Sequence, residues 1–210
     1  MYLFINYNVY TIFINIAVIG VILVEPVINN TKLSYEAYLE LREKSDNILE
    51  YIDGIVYMSP SPSTKHQRIS SKLHAKLYNI LEGKSCEVFH APFDILLKND
   101  QIEGEKLVIP DLSVICDKSG FTDNKYIGVP SLIIEILSPS NQSHDLVTKL
   151  NIYMKYGVKE YWIVNPILNT VMLYTLNQDE MYEQSIVKTE TGIVKSKLFE
   201  EFEVDIEELF

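Results

Sequence analysis

An α/β domain with a mixed sheet is what this sequence predicts, and three observations predict it. Apolar residues recur at helical spacing in some segments and at every second position in others, and the two kinds of segment are interleaved along the chain. With 47% apolar and 22% charged residues, only 8 Gly and 8 Pro, and no low-complexity tract, the composition is that of a compact globule and excludes a disordered or fibrous chain. At 210 residues the chain is long enough to bury a core without metal or disulfide staples, and one domain is the default.

Residues 1–30 stand apart as an uncharged apolar extension, except for Glu25. Met1 to Val24 carries no charge, and the run from Ile16 to Val24 has the character of a signal-peptide core or part of a membrane span. The flanks argue against both. No Lys or Arg precedes Lys32, no small-residue cleavage site follows, and Asn6, Asn8 and Asn15 weaken a spanning helix. An over-extended gene start, a membrane anchor and a packed element are the three open readings, and the fold expectation is a single domain over residues 31–210.

Within that region Ser34 caps a short helix running to about Lys44, with Glu36 in its first turn. Ile48–Ile52 and Ile55–Met58 form a hairpin closed by Asp53-Gly54, a type I′ signal. The Ser-Pro-rich run Ser59 to Ser63 interrupts the pattern and leads into a second helix, where Ile69, Leu73, Leu77, Ile80 and Leu81 share a stripe. Strands are expected at Glu87–Leu97, Leu107–Cys116 and Leu132–Leu137. A third helix follows from about His144 to Tyr156, with Leu146, Leu150 and Tyr153 on one face. Glu160–Asn165, Thr170–Thr175 and Tyr182–Val187 complete the strand set.

Cys86 and Cys116 are too few and too isolated for a disulfide framework or a zinc cluster, so the expected setting is a reducing, cytoplasmic one. The net charge of −11 shows no basic footprint for nucleic acid, although the acidic tail Glu200, Glu201, Glu203, Asp205, Glu207 and Glu208 inflates the total. A divalent cation held by acidic residues would restore positive charge locally.

The residues that carry chemistry lie between Ile109 and Pro166. Pro110 lacks a ladder donor and belongs where a strand bends, which re-aims Asp111, and period two puts Asp111 and Ser113 on one face. The alternative is a surface carboxylate. Glu135 is the lone ionisable residue in Leu132 to Ser138, so a buried strand must give its carboxylate a cation or several donors, a structural ion pair being the alternative to a metal. Two carboxylates on adjacent strands suit Mg²⁺, which prefers oxygen ligands and keeps waters, with Mn²⁺ as a possible substitute. Lys149 lies beside the apolar stripe of its helix, where its stem can reach the sheet, with a pair to Asp145 as the alternative.

Taken together, Glu50-Tyr51-Ile52-Asp53-Gly54, the Ser-Pro turn with His66, Pro110-Asp111, Glu135 to Ser140, Asp145, Lys149, Tyr153 and Gly157 to Val164 are similar to the Uma-two family of endonuclease-like proteins. That family belongs to the PD-(D/E)XK restriction-endonuclease-like superfamily, and the resemblance covers about Thr31 to Phe210. It implies a restriction-endonuclease-like core, a mixed central β-sheet flanked by α-helices, and a Mg²⁺ site at Asp111 and Glu135. The superfamily's usual lysine position is Leu137 here, a departure the family shares, so Lys149 is the relocated candidate. Asn165 and Asn141 stand where the family usually has Asp and Thr, and both are expected to lie peripheral to the metal.

The resemblance also brings Glu50 into the acidic cluster, against simple hairpin pairing. Asp94 is a further metal ligand or an inward-capped polar residue. His66 touches phosphate or serves as a helix cap, and Tyr161-Trp162 reads as core packing. The expected activity is Mg²⁺-dependent hydrolysis of phosphodiester bonds in DNA, with Asp111, Glu135 and Lys149 as the working residues and a homodimer as a possible assembly. The competing class is a catalytically weak or inactive nuclease-fold module that binds nucleic acid or a protein partner. Membrane attachment rests solely on residues 1–30.

Overall fold

The protein is described here by a computed structural model, which describes residues 32–59, 61–138, 144–189 and 191–210. The extension of residues 1–30, Pro139-Ser140 and Asn141 of the motif run lie outside the described residues, as does the side chain of Asp145. Among the described residues no helix is long and apolar enough to cross a membrane.

The first helix, α1 (Tyr35–Glu43), is capped by Ser34, whose Oγ accepts from Ala37 N. The strands β1 (Ile48–Ile52) and β2 (Ile55–Ser59) pair antiparallel through Asp53 at φ 50° and Gly54 at φ 95°, both left-handed as a type I′ turn requires. Ser63 caps α2 (Thr64–Leu81), which buries Ile69, Leu73, Leu77 and Leu81.

Two of the expected strands are each divided. Glu87–Leu97 becomes β3 (Glu87–His90) and β4 (Asp94–Leu97), separated by a cis Ala91-Pro92 bond, and Leu107–Cys116 becomes β5 (Lys106–Val108) and β6 (Leu112–Ile115), separated at Ile109-Pro110-Asp111. These four strands make one bent antiparallel ribbon: β3 pairs with β6, and β4 pairs with β5, in different sheets. The two bends lie side by side, joined by Ala91 N donating to Asp111 O at 3.0 Å. Proline supplies no ladder donor at either bend, so the ribbon turns there.

Beyond the ribbon come a 3₁₀ turn (Lys118–Gly120), β7 (Lys125–Ile127), β8 (Leu132–Ile136), a π-helical turn (His144–Lys149), α3 (Leu150–Tyr156), β9 (Glu160–Asn165), β10 (Thr170–Leu176) and β11 (Tyr182–Thr189). The chain closes with β12 (Ile193–Lys195), β13 (Glu203–Asp205) and α4 (Ile206–Leu209). Gly157 at φ 90° ends α3, its N–H bonding Tyr153 O and Met154 O, and the chain turns directly into β9.

The strands form two principal sheets, both mixed, with helices packed on them. Five strands run β2-β1-β5-β4-β7 and six run β11-β10-β9-β8-β6-β3, with β4-β7 and β8-β9 as the parallel pairs. On one face of the six-stranded sheet Leu132, Ile134 and Ile136 pack with α2, Trp162 and the C-terminal segment. On the other, Ile133 and Leu137 pack with Tyr153 of α3 and with Ile95 and Val108 of the five-stranded sheet. Trp162 is a core residue, as expected, and its indole N–H donates to Oε1 of fully buried Glu160, whose Oε2 accepts from Lys197 N and Leu198 N.

The cysteine reading is corrected. Cys86 and Cys116 form a disulfide. The antiparallel register puts Glu87 opposite Ile115, which brings the next residue on each strand face to face, and no sequence spacing reveals that pairing.

Candidate active site

Asp111 and Glu135 come together because of strand register. Strands β6 and β8 are antiparallel with Leu112 opposite Ile134, so one step outward Asp111 faces Glu135 at the end of the ladder. The Asp111 Oδ2 accepts from Ile136 N at 2.7 Å, which ties the bend of the ribbon to β8.

Glu135 lies on the α3 side of its strand, 3% exposed. Its Oε1 accepts from Lys149 Nζ at 2.9 Å and from the Tyr153 hydroxyl at 2.8 Å. The same ammonium lies 3.0 Å from Oε1 of Glu50, and that oxygen also accepts from Ile109 N at 2.7 Å. Lys149 thus bridges a carboxylate from each sheet. Its position is set by the π-helical turn that ends on it, and such turns recur at functional sites because they rotate a side chain off the regular helical face. Burial is the main cause that pushes the Tyr153 phenol well above its ordinary value, with Glu135 and Glu50 adding to it, so the hydroxyl stays a donor.

His66 does not cap α2, since Ser63 does. Its ring leaves the first turn of the helix and reaches Asp111, with Nε2 at 3.1 Å from Oδ1 and 3.2 Å from Oδ2. Asp94 is gripped by the guanidinium of Arg42 at 2.5 and 2.6 Å and opens β4 in the five-stranded sheet. Asn165 is peripheral, its Oδ1 accepting from Ile167 N and Leu168 N in the turn after β9.

A cleft of about 270 Å³ opens onto these groups, lined by Asp111, Glu135, Lys149 and His66 and walled by Ser59, Ser70 and His90. The buried Glu50 is absent from that lining and acts through Lys149. As a donor set, Asp111 and Glu135 offer hard carboxylate oxygens, the chemistry of Mg²⁺, and would leave most of an octahedral shell to water and substrate oxygens. Among the described residues no group of three His, Cys, Asp or Glu side chains converges as a closed metal cage. The residues therefore fit an open two-carboxylate site.

Tyr153 meets Glu135 in the cluster, whereas sequence reasoning placed it in an apolar stripe and in the family's motif run and gave that contact no role. The signal was present: it stands four residues after Lys149, one helical turn, opposite a strand with a single buried carboxylate. The walls Ser70 and His90 carried no such signal, because they meet only through the packing of α2 on β3.

The model of the Uma2 family, described as "Putative restriction endonuclease", matches residues 35–207. Two proteins of Synechocystis sp. are similar. One, "Uncharacterized protein slr1290", is 32% identical over 149 residues, 70% of this chain and 76% of its own. The other, "Uncharacterized protein sll1609", is 28% identical over 152 residues, 70% of this chain and 84% of its own. Among solved structures, a "putative nuclease belonging to DUF820" from Anabaena variabilis superposes with a TM-score of 0.67 at 24% identity, covering 83% of this chain and 96% of that one. That likeness shows the fold, an α/β restriction-endonuclease-like core.

Proposed function

This chain belongs to the Uma2 family, and from that premise we propose that it is a metal-dependent endonuclease hydrolysing phosphodiester bonds in DNA, with Asp111 and Glu135 as the Mg²⁺ ligands. The observation that carries the reading is the facing of these two carboxylates across β6 and β8 on a cleft that also receives Lys149. Family membership supports the nuclease-like part; the metal, the substrate and the residue roles are this proposal's own.

A bound Mg²⁺ or Mn²⁺ would supply Lewis-acid charge to the phosphate and lower the pKa of a coordinated water. Asp111 is held for that task by Ile136 N and by His66, which fix the orientation of its carboxylate. Lys149 lends positive charge beside Glu135, where negative charge grows as water oxygen bonds to phosphorus and the ester P–O bond breaks. Glu50 positions Lys149, and Tyr153 positions Glu135. The attacking water gives up its proton to solvent as its oxygen bonds to phosphorus, and the leaving oxygen takes one from solvent.

The test is cleavage of plasmid DNA with Mg²⁺ or Mn²⁺ by wild type, Asp111→Ala and Glu135→Ala. Cutting by wild type alone is expected, and equal cutting by all three would sink the mechanism. In a second reading, an inactive nuclease-fold module that binds nucleic acid or a protein, the net charge of −11 favours the protein partner. That reading gains if calorimetry detects no Mn²⁺ binding that depends on Asp111.

A further inference from the structure

Hydrolysis in the cleft must move a proton off the attacking water, and most ionisable side chains that line it are already committed. Asp111 and Glu135 are the carboxylates assigned to the metal. His66 holds its Nε2 at 3.1 and 3.2 Å from the two Asp111 oxygens, which spends that nitrogen on orienting the carboxylate. Lys149 lies 2.9 Å from Glu135 and 3.0 Å from Glu50, and an ammonium has protons to give but no lone pair to accept one. Gln67 and Ser70 bring a neutral amide and a hydroxyl, poor proton acceptors near neutral pH. Among the described residues of the lining, the ionisable side chain left over is His90.

The fold also holds His90 in one state. It closes β3, and the next residue, Ala91, donates its N–H to Asp111 O at 3.0 Å, so the backbone of His90 is tied to the bend that carries Asp111. Its Nδ1 lies 2.9 Å from Ala91 O. A carbonyl oxygen only accepts, so Nδ1 carries the hydrogen of the neutral ring and the lone pair sits on Nε2, which no described residue bonds. The ring meets His74 of α2 edge-on, with centroids 4.9 Å apart at 83°. Burial, then His90 itself, holds His74 below its ordinary value, so the imidazole packed against His90 is neutral at pH 7 and leaves it uncrowded by charge from α2. His90 is exposed, open to solvent as well as to the cleft.

Resting on the nuclease reading of the cleft, we infer that His90 is a catalytic residue, the general base that takes the proton of the attacking water. As the water oxygen bonds to phosphorus its O–H bond breaks, and Nε2 accepts the proton to give an imidazolium. The ester P–O bond breaks with its electron pair on the leaving oxygen, which takes a proton from solvent. The exposed imidazolium then returns its own proton to solvent, so the ring is neutral for the next turnover. A cleft of about 270 Å³ holds on the order of ten waters at about 30 Å³ each, so a lining imidazole reaches the reacting water directly or through one other. Imidazole is the side chain that changes charge nearest neutrality, which is what a base working near pH 7 requires.

The experiment follows single-turnover relaxation of supercoiled plasmid with Mg²⁺ and excess protein. His90→Ala should slow it by about 10²–10⁴-fold, the range of one general base, and His90→Gln, which keeps the volume, should be as slow. Mn²⁺ affinity by calorimetry should stay within about twofold of wild type in both variants, against the 10–100-fold that loss of a ligand-orienting residue costs. Free imidazole should restore cutting to His90→Ala, and substituted imidazoles should do so better as their basicity rises. Cutting by His90→Ala at the wild-type rate, a loss that no imidazole restores, or rescue that falls with basicity overturns the inference. The two ideas come apart in the same assay. Cutting abolished in Asp111→Ala but intact in His90→Ala removes the base and leaves the nuclease, whereas no cutting by wild type removes the nuclease reading and the base with it.

Discussion

Replacing Lys149 with Met removes a charge while keeping an unbranched side chain of similar reach, and it exposes the electrostatic design of the site. The ammonium lies 2.9 Å from Glu135 and 3.0 Å from Glu50, with side-chain exposures of 5% for Lys149, 4% for Glu135 and 2% for Glu50. All three are too buried for solvent to screen the loss. Breaking a buried pair by removing one partner costs about 3–5 kcal/mol, because the remaining charge is stranded, and here two carboxylates are stranded together. For a chain of this length that corresponds to a fall of about 6–20 °C in the unfolding midpoint. Urea and thermal unfolding of Lys149→Met read it directly, and a Lys149→Met/Glu50→Gln double variant should regain part of the loss. Mn²⁺ gives the second arm: an ion that binds only the native state adds about 2.7 kcal/mol at roughly 100 times its Kd, and the variant should gain at least as much as wild type. A loss within the ~0–1 kcal/mol of an exposed pair, with no Mn²⁺ protection, refutes the reasoning.

Other perturbations bear on separate parts of the argument. Tyr153→Phe should fold but weaken Mn²⁺ affinity by about 10–100-fold, as loss of a ligand-orienting partner does, measured by calorimetry. Asp94→Asn should leave Mn²⁺ affinity unchanged while lowering the unfolding midpoint, since its carboxylate serves Arg42. His74 is held below its ordinary value of 6.5, first by burial and then by His90. The unfolded chain therefore binds the proton that native His74 refuses, so this contribution is intact above pH 6.5 and lost as pH falls below it. His74→Gln should flatten the decline in urea midpoint between about pH 7 and pH 5. Gly157→Ala should cost about 1–2 kcal/mol by thermal unfolding, because φ is 90° and no neighbour crowds the added methyl, leaving only the backbone penalty.

What could be read in the sequence were features set by local chemistry. The Asp53-Gly54 hairpin, the stripe of α2 and the buried strand around Glu135 each carry their own signal within a few residues, and all three stand. The division of two strands did not announce itself. Residues on both sides of Ala91-Pro92 and of Ile109-Pro110 have strand character, and only pairing shows that β3 and β6 go to one sheet while β4 and β5 go to the other. Asp94 shows the same limit: numbered near the ribbon's bend, it falls on the five-stranded side, where Arg42 of α1 claims it. Lys149 is the opposite case. Its helix period put it beside the stripe, but the approach to Glu50 across the two sheets depends on tertiary packing that no spacing encodes.

On the proposed function, the bend would also let an acidic protein hold a phosphate-directed site. Along a regular strand Asp111 would sit in a ladder with its neighbours; at the turn of the ribbon it is released from pairing and set opposite Glu135, with a backbone N–H supporting it. Two carboxylates, Glu50 and Glu135, share one ammonium and Asp111 adds a third negative group to the cleft, so by formal charge the site is anionic. Such a site repels a phosphodiester on its own account, at close range and in a partly dry cleft where the repulsion is strong. A divalent cation held by Asp111 and Glu135, as proposed, would reverse that sign locally. Substrate affinity at the cleft should therefore depend steeply on divalent ion and only shallowly on monovalent salt, because few Lys or Arg release counterions. A protein of net charge −11 that bound DNA tightly without metal, with a steep salt slope, would contradict this placement of charge.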